Sequence, residues 1–217
     1  MSSILYLYLS LLLTLHILTN FISKIIHVLE RKRINNKEYV VGFHTQEFRN
    51  KIISEPILCD IENAWLGSGY YFWVDLEFAK FWGEDFKKRR TGYYSIYCAY
   101  IDIDNCINAV FDEEQYFFFR RCIEKSIEHF KLHGFEITLK RVHQFLSDNF
   151  WNKMNVSGII YDDLPFNPFK KPNRKYSEVE FVENGKMRFF YYKKRIQLVV
   201  FNLENISTFA PYLEKQS

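Results

Sequence analysis

The residues best suited to chemistry fall in three places. Gly42-Phe43-His44-Thr45 closes a strand-like run and sets an imidazole beside a hydroxyl. About two dozen residues later, Leu66-Gly67-Ser68-Gly69 leads directly into Tyr70-Tyr71-Phe72-Trp73. Two glycines around a serine let the backbone turn tightly and bare its N–H groups. Near the end, Ile196-Gln197-Leu198-Val199-Val200-Phe201 places one amide within an apolar run. Each feature also has a plain structural reading. A glycine turn before an apolar strand is ordinary fold grammar. A histidine at a strand end is often a satisfied structural group, and a glutamine on an alternating strand can face solvent. His44 gains weight from Tyr71, because titratable residues in clefts mark functional sites jointly.

Other chemistries find less support. His129 and His133 lie four apart, one face of a helix if the segment is helical, but no third ligand has a suggestive spacing, so no metal is expected. Cys59, Cys98, Cys106 and Cys122 contain no Cys-x-x-Cys pair, which favours free thiols in a reducing compartment. Asp102 and Asp104 could meet a cation, yet Asp-x-Asp at a strand end more often makes a turn. Lys87-Lys88-Arg89-Arg90 suits a solvated helix C-terminus, where positive charge is welcome, and could also meet phosphates. The net charge of +3 over 217 residues argues for no nucleic-acid partner by itself.

The elements that must position these residues follow from patterning. With 48% hydrophobic and 19% aromatic residues, the chain can bury a substantial core. Residues 4–23 carry no charge, enough for a helix to span a bilayer, and basic residues follow at Lys24 and Arg31-Lys32-Arg33. Residues 1–33 are therefore expected to form an N-terminal apolar helix that anchors the chain in a membrane, with the domain of residues 37–217 in the cytoplasm. A helix docked on that domain, in a cytoplasmic protein, is the alternative. Asn35-Asn36-Lys37 reads as a linker. Strands are expected over Glu38 to Phe43, Tyr93 to Ile103, Ser157 to Tyr161, Met187 to Tyr192 and Arg195 to Phe201. Helices are expected over Gln46 to Ile53, from an Asp75 N-cap to Phe86, over Glu113 to Leu132 closed by Gly134, and over Thr138 to Phe150. Three prolines make Asp163 to Lys175 a loop, and Gly185 a turn. The order predicts a mixed α+β domain.

In this setting the sequence resembles the ADP-ribosyltransferase superfamily, in its poly(ADP-ribose) polymerase and diphtheria-toxin-like branch. Gly42-Phe43-His44-Thr45 is similar to the family's His-Gly-Thr/Ser strand. Gly67-Ser68-Gly69-Tyr70-Tyr71-Phe72, with Ala79 and Trp82 on the following helix, is similar to its Gly-x-Gly-x-Tyr-Phe motif. Ile196 to Asn202 resembles the late strand that normally carries the catalytic Glu. The segments occur in the family's order, across roughly Tyr39 to Ile206.

The resemblance implies a split β-sheet core with inserted helices and NAD as substrate, without a metal. It implies a glycosyltransferase that breaks the nicotinamide–ribose bond through an oxocarbenium-like transition state. His44 would hydrogen-bond the ribose, Tyr71 would stack on nicotinamide, and Gln197 would complete the catalytic set. Thr45, Gly67, Ser68, Gly69 and Tyr70 would line the NAD site, with Tyr39 and Tyr94 as further ring surface. Two departures matter. The middle glycine of His-Gly-Thr is missing, and Gln197 stands where the most active members have Glu. An amide hydrogen-bonds but supplies no charge to a cationic transition state. Glu178 and Glu180 offer an alternative carboxylate pair, in a spacing similar to the arginine-modifying toxin branch. A toxin- or effector-like mono-ADP-ribosyltransferase is thus expected, acting on a protein, nucleic acid or small molecule. The alternative is a catalytically degenerate module that binds NAD, ADP-ribose or a protein.

Overall fold

A computed structural model describes residues 29–35, 37–60, 64–163, 178–183, 186–191 and 194–212. Its centre is β2, Lys37–Glu47, whose residues Val40 through Gln46 are all buried. A strand covered on both faces reads as a continuous apolar run, and Val40-Val41-Gly42-Phe43 supplies most of one. Strand β1, Arg31–Ile34, forms a hairpin with β2. Beyond them come β3 (Tyr70–Trp73), β4 (Tyr94–Ile101), β5 (Cys106–Asn108) and β6 (Gly158–Asp162). Strands β7 (Glu178–Glu183) and β8 (Lys186–Tyr191) pair only with each other, followed by β9 (Ile196–Val200) and β10 (Ile206–Pro211). The main sheet runs β10-β4-β2-β3-β9-β6-β5, with β1 on β2. Its one parallel pair is β5–β6; the others are antiparallel. This is an α+β architecture around a mixed sheet.

The helices begin where capping residues dictate. Helix α1, Leu76–Trp82, starts at Asp75, whose carboxylate accepts from Glu77 N at 2.8 Å. It passes through a π-helical turn, Gly83–Lys87, into α2, Lys88–Thr91. Helix α3, Glu113–Leu132, opens on Asp112, which accepts from Gln115 N while the Gln115 side chain donates back to it. It closes at Gly134, whose φ of +65° favours glycine. Helix α4, Leu139–Leu146, opens on Thr138 and continues through a second π-helical turn into α5, Asn152–Met154. Helices α3 and α4 cover one face of β9 and β6, around Phe119, Leu146, Trp151, Ile159 and Val199. Helix α1 covers Val41, Phe43 and Trp73 on that same face. The opposite face buries Val40, Phe72, Ile101, Leu198 and Val200.

Three expectations change. Gln46 to Ile53 is not a helix, because pairing with β4 carries β2 on through Glu47 and the rest is irregular. The segment around Asn35 is a hairpin turn rather than a linker: Asn35 takes a φ of 48°, and Arg31 pairs with Glu38 at 2.9 Å. The basic cluster 31–33 is consequently strand. Strands β5 and β10 were not expected at all. The apolar run 4–23, the proline segment 164–175 and Gly185 lie outside the described residues. Among the described residues, no helix is long and apolar enough to cross a membrane.

Candidate functional site

Sheet order brings the three motif segments together. Phe43 pairs with Trp73, and Trp73 with Gln197, so the strands bearing His44, Tyr71 and Gln197 are neighbours. Strand alternation then divides the side chains. The His44 ring lies 5.7 Å from Phe72 and 5.9 Å from Phe209, on the face away from the helices. Tyr71 and Gln197 are on the helix face, with Tyr71 opposite Val199. One seam carries all three residues, but the imidazole is on its far side.

His44 is held in a single protonation state. Its Nδ1 lies 2.9 Å from the Tyr71 carbonyl oxygen, an acceptor only, so Nδ1 carries the proton. Burial lowers its pKa to about 4, against the opposing pull of that carbonyl. The ring is therefore neutral near pH 7, and Nε2 is an acceptor. It faces Ile57 N–H at 3.5 Å, a long contact. The segment supplying that N–H is strapped across His44: Pro56 is buried, and Ile53 N donates to the Tyr97 hydroxyl at 3.3 Å.

The glycine turn is the most heavily fastened part of the site. The Tyr71 hydroxyl donates to Gly67 O at 2.7 Å and accepts from Leu66 N at 3.0 Å. Burial raises the phenol's pKa well above its ordinary range, so it stays protonated and able to donate. Trp65 donates its indole N–H to Gln197 Oε1 at 2.8 Å. His143 Nε2 donates to Trp65 O at 2.7 Å, and burial lowers its pKa, keeping it neutral. Gly67 has a φ of +91°, and a Cβ there would meet the His143 ring at 3.1 Å. Gly69 is bridged to Cys59, and a Cβ on it would meet Val199 Cγ2 at 2.5 Å. Ser68 is exposed and Tyr70 half-buried.

Thr45 donates its hydroxyl to Ala79 O at 2.9 Å and so ties β2 to α1. Trp65 and His143 escaped the sequence reading, although His143 sits between Val142 and Leu146 on the buried side of an amphipathic helix. Glu178 and Glu180 lie on the separate β7–β8 hairpin, paired with no strand of the seam. The His129 and His133 rings are 4.3 Å apart, and His133 Nδ1 is engaged by His129 O. Among the described residues no group of three or more His, Cys, Asp or Glu could hold a metal. Asp102 binds Lys37 at 2.6 Å and caps Asp104 N, as a turn carboxylate does. Cavities of about 600, 530 and 190 Å³ open among the described residues, and none is lined by His44, Tyr71 or Gln197. The smallest borders the outer side of the glycine turn at Gly67, Ser68 and His143. No protein-family model, curated protein or solved structure matches the chain.

Proposed function

We propose that this chain is an NAD-dependent mono-ADP-ribosyltransferase built on the ADP-ribosyltransferase split sheet. The observation that carries the reading is the β2-β3-β9 seam, where the three motif strands adjoin and the Tyr71 carbonyl fixes His44 with Nε2 as a hydrogen-bond acceptor. A ribose hydroxyl is a better partner for Nε2 than Ile57 N–H at 3.5 Å. Binding NAD then means lifting the strap of residues 49–58. The strap residues Asn50, Lys51 and Ile52 also wall the cavity of about 600 Å³, as does Tyr97, which pairs with His44 across β2 and β4. In the reaction the nicotinamide–ribose bond breaks and its electron pair leaves with nicotinamide. An acceptor nucleophile bonds to the ribose C1′ and gives up its proton. Gln197 supplies no charge and lies on the opposite face of the seam from His44, which favours single transfer over polymer growth.

A second reading has its own support. In a module that holds NAD without cleaving it no carboxylate is needed, and Gln197 offers none: it is buried on the face opposite His44 with its oxygen held by Trp65.

Nicotinamide release from NAD, followed with the full chain and with His44→Ala, tests the first reading. Release that His44→Ala abolishes, in a variant that still melts cooperatively, supports the transferase. Full turnover in the variant sinks it. A stabilising thermal shift with NAD but no nicotinamide assigns the binding module, and Gln197→Glu is then the variant expected to gain release.

A further inference from the structure

The tip of the α3–α4 hairpin is the most apolar exposed stretch of the described chain. Every residue from Lys131 to Ile137 is exposed. Within eight positions, Leu132 is 84% exposed, Phe135 54%, Ile137 43% and Leu139 45%. The tip is nonetheless built. Phe135 N donates to Phe130 O at 2.9 Å, and the Phe135 ring stacks on His133 at 5.8 Å. A fixed backbone therefore holds these side chains in water, against the tendency of large apolar groups to cluster inward.

The charges beside them select the occupant. Lys131, Lys140 and Arg141 flank the apolar residues, with Glu136 the only acid between. Glu136 is taken up by Arg141 at 3.8 Å, whereas Lys131 and Lys140 meet no carboxylate among the described residues. The next acid, Glu128, lies about one helical turn back from Lys131. Thr138 is spent capping α4. The tip thus offers four apolar side chains ringed by long cationic ones, with the exposed His133, whose Nδ1 is engaged by His129 O, the one polar ring among them. Lysine stems lie along apolar surface while their ammonium groups stay in water, which is the arrangement of an interfacial segment. A cationic rim adds attraction to anionic headgroups within a Debye length.

We propose that residues 131–141 insert into the headgroup boundary of an anionic lipid bilayer. The contact uses no residue of the run 4–23 and none of His44, Tyr71 or Gln197, although Lys140 also lines the cavity beside Gly67 and Ser68. Leu132, Phe135, Ile137 and Leu139 enter the acyl boundary, while Lys131 and Lys140 meet the phosphates.

Hydrogen exchange of the full chain locates the contact, whatever else holds the protein to the membrane. It is measured free, with phosphatidylcholine vesicles, and with vesicles containing phosphatidylserine. The expected result is slower exchange of amides 131–141 on the anionic vesicles, with less protection on the neutral ones. Leu132→Ser, at a side chain almost wholly in water, should lower the partition of the tip roughly tenfold and remove its protection. Lys131→Gln with Lys140→Gln should erase the preference for phosphatidylserine. A chain that does not bind vesicles, or binds them with unchanged exchange at 131–141, overturns the proposal. So does tip protection without lipid in a sedimenting dimer, which would assign the surface to a second copy.

Discussion

Tyr71→Phe separates the two things this residue can do, since it keeps the ring and removes only the hydroxyl. That hydroxyl makes two bonds to the glycine turn, at 2.7 Å to Gly67 O and 3.0 Å from Leu66 N. Leu66 is 1% exposed, so its N–H would lose its partner with no water to replace it. Leaving a buried donor unpaired costs about 1–3 kcal/mol, and losing the second bond adds about 1. The variant should be less stable by about 2–4 kcal/mol. In a chain of this size that lowers the melting temperature by roughly 5–15 °C. Urea denaturation monitored by tryptophan fluorescence gives the number directly, and Trp65 reports from within the turn. A loss below about 0.5 kcal/mol would refute the clamp, because ordinary surface changes fall in that range. Because the ring lies on the helix face and His44 on the other, NAD held at His44 should stabilise Tyr71→Phe as much as it stabilises the parent chain.

Four further outcomes are expected. Acid should cost stability through His44: above pH 6.5 the ring is neutral in both states, and as the pH falls towards 4 the unfolded chain takes the proton first. The loss approaches about 3 kcal/mol, and the slope of unfolding free energy against pH should flatten in His44→Gln. Gly158→Ala should be severely destabilised, since a Cβ there runs into the Val199 carbonyl and lies 2.9 Å from Cys106 Sγ. Gly92→Ala, with φ +78° but open space around it, should lose only about 1 kcal/mol in the same melts. Asp163→Asn should cost only about 1–2 kcal/mol, because it removes the carboxylate charge 3.0 Å from the Arg195 guanidinium while burial already raises the Asp163 pKa and Asp162 stays beside the same cation; the double change Asp163→Leu with Arg195→Met should cost less in chemical denaturation.

The local grammar of this chain was legible in its residues. Helix α3 has the bounds the pattern required, Glu113–Leu132, because the Asp112–Gln115 cap and Gly134 act within a turn of each end. Asp75 and Thr138 likewise open their helices by bonds to residues two or three positions away. Elements whose existence depends on a neighbour were not legible. Strand β10 is mostly exposed and forms by pairing with β4, β5 is three residues beside β6, and β4 drew Gln46 and Glu47 into a strand. The same division runs through the candidate site. The sequence determined which residues are unusual: His44, the Gly67-Ser68-Gly69 turn, Tyr71 and Gln197. Only tertiary structure decided what they touch. Sheet register set His44 and Tyr71 on opposite faces of the seam, and the turn is held by Trp65 to Gln197 across 132 positions and His143 to Trp65 across 78. Periodicity reports which side chains are buried within one element, whereas a hydrogen bond across such separations depends on how elements pack, which no local spacing encodes.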